Sequence, residues 1–212
     1  MSKKAISLAL AAAWVVMAAL PAAASAQEIH IDGFTSFTGT FGKRELTFTT
    51  LPVTCAQNGV NHVSGSFNPG STTTGTIEYD LTECHTINSF FGITQPCHSP
   101  GSPLNNTIRT TATFHTITVN NKPGFLITMA ENTIECPGAT FNIAGSVIGT
   151  ITSPKCDAES KSITVKFNAT GTSQEDKTYT GVDYHLTNNG TEVGLIEEVT
   201  FQSATAGKLT CT

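Results

Sequence analysis

Apolar and polar positions alternate with a period of two along one stretch of this chain after another. In KSITVKFNAT, Ile163, Val165 and Phe167 fall on one side, with Thr164, Lys166 and Asn168 on the other. GFLITMAEN repeats the pattern with Phe125, Ile127 and Met129, and TGTIEYDLT with Ile77, Tyr79 and Leu81 against Glu78, Asp80 and Thr82. TFNIAGSVIGTI aligns Phe141, Ile143, Val147 and Ile151 with Gly145 and Gly149 in phase; EVGLIEEVTF aligns Val193, Leu195, Val199 and Phe201. Successive side chains of a strand point to opposite faces, so each stretch predicts a strand with one wet face. Asn68-Pro69-Gly70-Ser71, Asn120-Asn121-Lys122-Pro123-Gly124 and Asn188-Asn189-Gly190 supply the turns between them. The sum is an all-β, mostly antiparallel sandwich or barrel of about 10–12 short strands. QEIHIDGFTSFTGTF also carries a strand pattern, with fraying as the alternative.

The N-terminus breaks the pattern. Lys3 and Lys4 precede the apolar run AISLALAAAWVVMAAL, and Ala24-Ser25-Ala26 follows with small residues at the outer two positions. Those features predict a signal peptide over 1–26, cleaved after Ala26, and an exported mature chain of 27–212. No later segment is apolar for long enough to cross a bilayer as a helix. CHSPGSPLNN, residues 97–106, is the most linker-like stretch. A single β domain is expected, with subdivision near 97–106 as the alternative, because neither half is long enough for a core of its own.

Composition then narrows the partners. Loss of Lys3 and Lys4 leaves nine basic residues against sixteen acidic ones, with no basic stripe. That argues against nucleic acid and anionic membrane surfaces. The only Trp leaves with the signal peptide, which weakens the case for a sugar site built on stacking platforms.

All six cysteines lie in the exported part, and an even count in an oxidising compartment predicts three disulfides among Cys55, Cys84, Cys97, Cys136, Cys156 and Cys211. A tight turn at Pro69-Gly70 would set residues whose numbers add to 139 opposite each other, which pairs Cys55 with Cys84. Cys136 and Cys156 flank a strand about 35 Å long at 3.3 Å per residue, so each seeks Cys97 or Cys211 unless that strand bends.

Candidate chemistry is sparse. ECHTINSFFGITQPCHSP doubles a Cys-His pair, but adjacent strand residues face opposite ways and the thiols are expected to be oxidised, so no metal site is assigned. GxSxG is absent, and no catalytic or cofactor-binding residue is assigned. The pairs Glu78/Asp80, Glu175/Asp176 and Glu197/Glu198 are carboxylates without facing partners, whereas glycosidase chemistry needs two across a cleft. Glu197 is anomalous, in phase with Leu195 and Val199; a strand edge, a bulge, a buried partner or a functional acid would each explain it. His185 reads as an exposed strand histidine beside Asp183 and Tyr179. Phe90, Phe91 and Ile93 sit in a loop between Cys84 and Cys97 and form either a partner-binding patch or a lid on the core.

IECPGATFNIAGSVIGTITSPKC, followed by SITVKF and YTGVDYHLT, resembles uncharacterised secreted β-rich proteins of actinobacteria, with GSVIGTIT as its specific part. VSGSF, GTIEYDLTECH and PCHSPGSP are similar more loosely. The resemblance implies export and a β fold, and no activity. A looser likeness to pilus-type immunoglobulin-like subunits rests on size, export and Thr-rich strands. The expected function is a non-enzymatic binding or structural role in the envelope or outside the cell, for a protein or surface ligand, without cofactor. A secreted hydrolase with scattered Asp, Glu and His residues is the alternative, and self-assembly through strand edges is a further option.

Overall fold

The computed structural model describes residues 29–49, 51–56, 60–87, 92–102 and 106–211. The predicted signal peptide, Phe90 and Phe91 lie outside them. The described residues form β1 (Ile29–Asp32), β2 (Ser36–Phe41), β3 (Arg44–Thr47), β4 (Val53–Cys55), β5 (Asn61–Phe67) and β6 (Thr74–Leu81). Then come β7 (His85–Ile87), β8 (Thr94–Pro96), β9 (Ile108–Val119), β10 (Lys122–Cys136), β11 (Ala139–Ser153) and β12 (Glu159–Phe167). Four two-residue strands follow: β13 (Ala169–Thr170), β14 (Ser173–Gln174), β15 (Thr178–Tyr179) and β16 (Val182–Asp183). β17 (Leu186–Asn188) and β18 (Thr191–Cys211) end the series. There is no helix among the described residues.

Eight strands close an antiparallel barrel in the order β2–β5–β6–β9–β10–β11–β12–β18, and β18 returns to β2. The inward positions are those the alternation marked, from Ile77 and Tyr79 to Val199 and Phe201. Phe37, Phe67, Phe114, Phe125 and Phe201 meet at its centre with ring centroids 4.7 to 6.3 Å apart. Two glycines make room for them. A Cβ on Gly65 would stand 2.6 Å from Phe37 Cε2, and one on Gly75 would stand 2.6 Å from Phe114 Cε1. Barrel interiors fit large rings only where the facing wall is small.

A second ring shares three of these strands. From β18 the pairing runs through β3, β4, β7 and β8, and the bridge between His98 and Glu135 joins that path to the far half of β10. β11 and β17 complete the circuit back to β18. β10 and β11 therefore have 15 residues each and β18 has 21, because they wall both rings in turn. The expected 10–12 short strands miss this: alternation locates faces, not how far a strand continues past a bulge. One such bulge lies between Met129 and Asn132. A single buried cluster runs through both rings.

Two further elements cover the barrel. β1 pairs with the end of β18, burying Ile29 and Ile31, and the Thr116 hydroxyl donates to Ile29 O. The strand alternative therefore holds for residues 29–32, without fraying. Outside the wall, Ile117, Val119, Leu126 and Ile148 form a satellite cluster beneath Tyr179 and Tyr184 of the 168–186 strap. Gln174 pins that strap by bonding both the N–H and the C=O of Leu195, at 3.1 and 3.2 Å.

Candidate functional site

A broad concavity lies on the outer wall of the barrel, where β18, β2, β5 and β6 run side by side. Antiparallel register stacks outward side chains into cross-strand rows. One row is Thr200, Thr40, His62 and Asp80; the next is Gln202, Thr38, Ser64 and Glu78. Between the rows the wall dips at Gly39 and Val63, giving a groove of about 510 Å³. Gly39 explains the dip. It occupies an inward position, and a Cβ there would come within 2.5 Å of Thr200 O and 3.0 Å of Val63 Cγ1. Only glycine lets β2 sink that far.

Over much of the outer wall, and at Thr200 on the groove's edge, hydroxyls satisfy one another. Thr128 Oγ1 lies 2.8 Å from Ser146 Oγ, Thr164 Oγ1 lies 2.9 Å from Thr200 Oγ1, and Thr133 donates to Asn142 Oδ1 at 3.0 Å. Asp80 takes Arg109 Nε at 3.4 Å. By contrast, the side chains of Thr38, Thr40, His62, Ser64, Glu78 and Gln202 bond to no other described residue. Glu78 and Asp80 are therefore on a wet face, as their phase predicts, but that face is the side of a groove. Sequence could not show this, since the groove depends on four strands and on one glycine's neighbours.

A second polar constellation is wholly interior. Arg44 opens β3, and Glu197 lies where β18 passes from one ring to the other. Arg44 Nε is 2.6 Å from Glu197 Oε2, and its guanidinium carbon lies 4.2 Å from the centroid of Tyr79. Glu197 thus has a buried partner, one of the explanations its phase allowed. Burial pushes the Glu197 carboxyl above its ordinary range, with Arg44 pulling the other way. Burial, then the Glu197 charge, raises the Tyr79 hydroxyl. All three side chains are almost fully buried, so no substrate reaches them. Arg44 itself gave no sequence signal, because its partner is more than 150 residues away.

The cysteines pair as Cys55–Cys84, Cys97–Cys136 and Cys156–Cys211. The register behind the first pair differs from the simple hairpin. Paired residues of β5 and β6 add to 142, since the turn is longer than Pro69-Gly70 alone, and those of β4 and β7 add to 139. Between the pairs His62↔Asp80 and Thr54↔His85 the chain runs seven residues on one side and four on the other, and that offset restores the value. The doubled Cys-His splits accordingly. His85 Nδ1 lies 3.0 Å from Glu83 O, while His98 Nε2 lies 3.4 Å from Glu135 Oε2. Among the described residues no group of three or more His, Cys, Asp or Glu side chains could hold a metal.

Ile93 is 58% exposed, while Phe90 and Phe91, its companions in the proposed loop, lie outside the described residues. His185 is part-exposed, with Nδ1 3.7 Å from Glu192 Oε1 rather than engaged with Asp183, which accepts from Thr178. Glu175 and Asp176 separate: Asp176 accepts from Asn120 and Thr150, at 3.2 and 2.7 Å, as part of the strap's anchorage. Compared with known protein families, curated proteins and solved structures, the chain finds no match.

Proposed function

We propose that this protein is exported, loses residues 1–26, and works at the envelope or outside the cell by binding a ligand in the groove on its barrel wall. The observation carrying the proposal is the groove itself: six polar side chains with no bonding partner among the described residues gather in one concavity. Ligand sites are concave and present convergent polar groups, and the groove has both. Three disulfides are consistent with an oxidising compartment. No helix of the described residues is long and apolar enough to cross a membrane. The reading also keeps the protein among the secreted β-rich proteins whose motifs it resembles.

The hydrolase alternative gains one specific observation, since His62, Glu78 and Asp80 share the groove on adjacent strands. Against it, both carboxylates rise from the same strand and the same wall, and Asp80 is held by Arg109. Two carboxyls that do not flank a bond cannot divide acid and base roles across it. Edge-strand assembly has less to build on, because the eight-strand barrel closes. The test is retention on envelope fractions of the producing cell by the mature protein and by Thr38→Arg/Ser64→Arg, which fills the groove from the solvent side. Loss of retention with an unchanged melting temperature is expected. Equal retention of both proteins would remove the groove from the function.

A further inference from the structure

The groove has a direction, and the direction selects a ligand. We infer that it receives a linear, uncharged glycan chain lying across the strands, an inference that rests on the groove being the binding site. The two rows run perpendicular to the strands for four strands: Thr200–Thr40–His62–Asp80 on one side, Gln202–Thr38–Ser64–Glu78 on the other. Neighbouring strands stand roughly 4.8 Å apart and the rows about 6.7 Å apart, so the groove is a trough with a polar side chain on each bank at every strand. A pyranose chain linked through opposite corners of its rings advances by one ring and one glycosidic oxygen per residue, a length comparable to the strand spacing of roughly 4.8 Å. Each sugar then meets the same pair of banks as the last. An extended peptide advances about 3.3 Å per residue and falls out of step within two residues.

The chemistry agrees with the spacing. Hydroxyls at Thr38, Thr40 and Ser64, the Gln202 amide and the His62 imidazole each donate and accept, as a ligand bristling with hydroxyls requires. Glu78 accepts only, and a carboxylate takes two neighbouring hydroxyls well. Its charge, with no Lys or Arg in the lining, disfavours polyanions. Asp80 carries its own counter-ion in Arg109. The lining holds no Phe, Tyr or Trp ring, in keeping with the sequence's argument against stacking platforms, so the sugar's edges rather than its faces are recognised. Such a site is modest in affinity, gains with chain length up to the four-strand span, and is insensitive to salt.

The experiment is an amide-resolved NMR titration of the ¹⁵N-labelled mature protein, disulfides intact. The probes are cellohexaose, β-1,4-mannohexaose and chitohexaose, all linked through opposite ring corners, with hexagalacturonate and a Ser/Thr-rich hexapeptide as contrasts. At least one neutral hexasaccharide should shift the amides of residues 38–40, 62–64, 78–80 and 200–202. Its disaccharide should bind much more weakly, and 0.5 M salt should leave the affinity unchanged. Thr40→Val and Gln202→Leu, which keep side-chain bulk, should each weaken binding about fivefold, the worth of one net hydrogen bond, with the remaining spectrum unmoved. Shifts in the groove from hexagalacturonate or the peptide alone would overturn the glycan and leave the groove standing. No shift there with any probe would overturn both.

Discussion

The barrel and the ring fused to it close by different means. The barrel's own strands, β2, β5, β6, β9 and β12, run from 6 to 12 residues, and five phenylalanine rings fill its centre. Its one disulfide, Cys156–Cys211, joins the approach to β12 to the end of β18, beside the seam where the barrel closes. The second ring's own strands, β3, β4, β7, β8 and β17, have only three or four residues. Ladders that short hold few hydrogen bonds. Two disulfides there cross consecutive strands, and Cys97 N–H donates to Cys84 O at 2.8 Å between them. Covalent bonds stand in for ladder length where the strands are shortest.

The largest break in this comparison comes from removing both bridges, Cys55→Ala/Cys84→Ala with Cys97→Ala/Cys136→Ala. Each closes a loop of about 30–40 residues and contributes roughly 3–4 kcal/mol. Hydrogen exchange should then show β4 and β7 amides losing protection while those flanking Phe114 and Phe125 keep theirs. Simultaneous loss in both regions would mean that the rings fold as one cooperative unit.

The junction is next. Arg44→Met or Glu197→Leu alone should cost about 3–5 kcal/mol in urea unfolding, because each strands a buried charge. The double variant should recover to within about 1–2 kcal/mol of the parent. A double variant as unstable as the singles would mean the pair adds net stability rather than fixing how β18 passes between rings. Gly75→Ala, which touches only the barrel, should cost about 1–3 kcal/mol by pressing on the Ser66 carbonyl and the Phe114 ring.

The smallest effect is in pH dependence. A native carboxyl raised by burial keeps its proton to higher pH than the unfolded chain's, so folding takes up a proton in that window. Glu197's contribution is full below the unfolded value, about 4.3, and declines as pH climbs towards the folded one. Urea unfolding between pH 4 and 8 should show the parent losing stability relative to Glu197→Gln as pH rises; a gain would mean that Arg44 outweighs burial.

Faces were legible in the sequence, and distances were not. Ile163, Val165 and Phe167 announced their inward side, and Glu197 announced its anomaly, because a two-residue period is local. Leu126 carried no such warning. It sits on the nominally wet face of GFLITM yet is buried, since a strap more than 40 residues later covers it. Arg44 and the groove were illegible for the same reason. One needs a partner on β18, and the other needs four strands in register with Gly39 at the dip.

The central claim, that the protein acts through the outer groove, is tested most directly by hydrogen exchange of the mature protein with and without envelope material from the producing cell. Protection is predicted at residues 38–40, 62–64 and 200–202, with the 168–186 strap and the β7–β8 hairpin unchanged. Protection confined to the strap or that hairpin, with the groove unaltered, would contradict it.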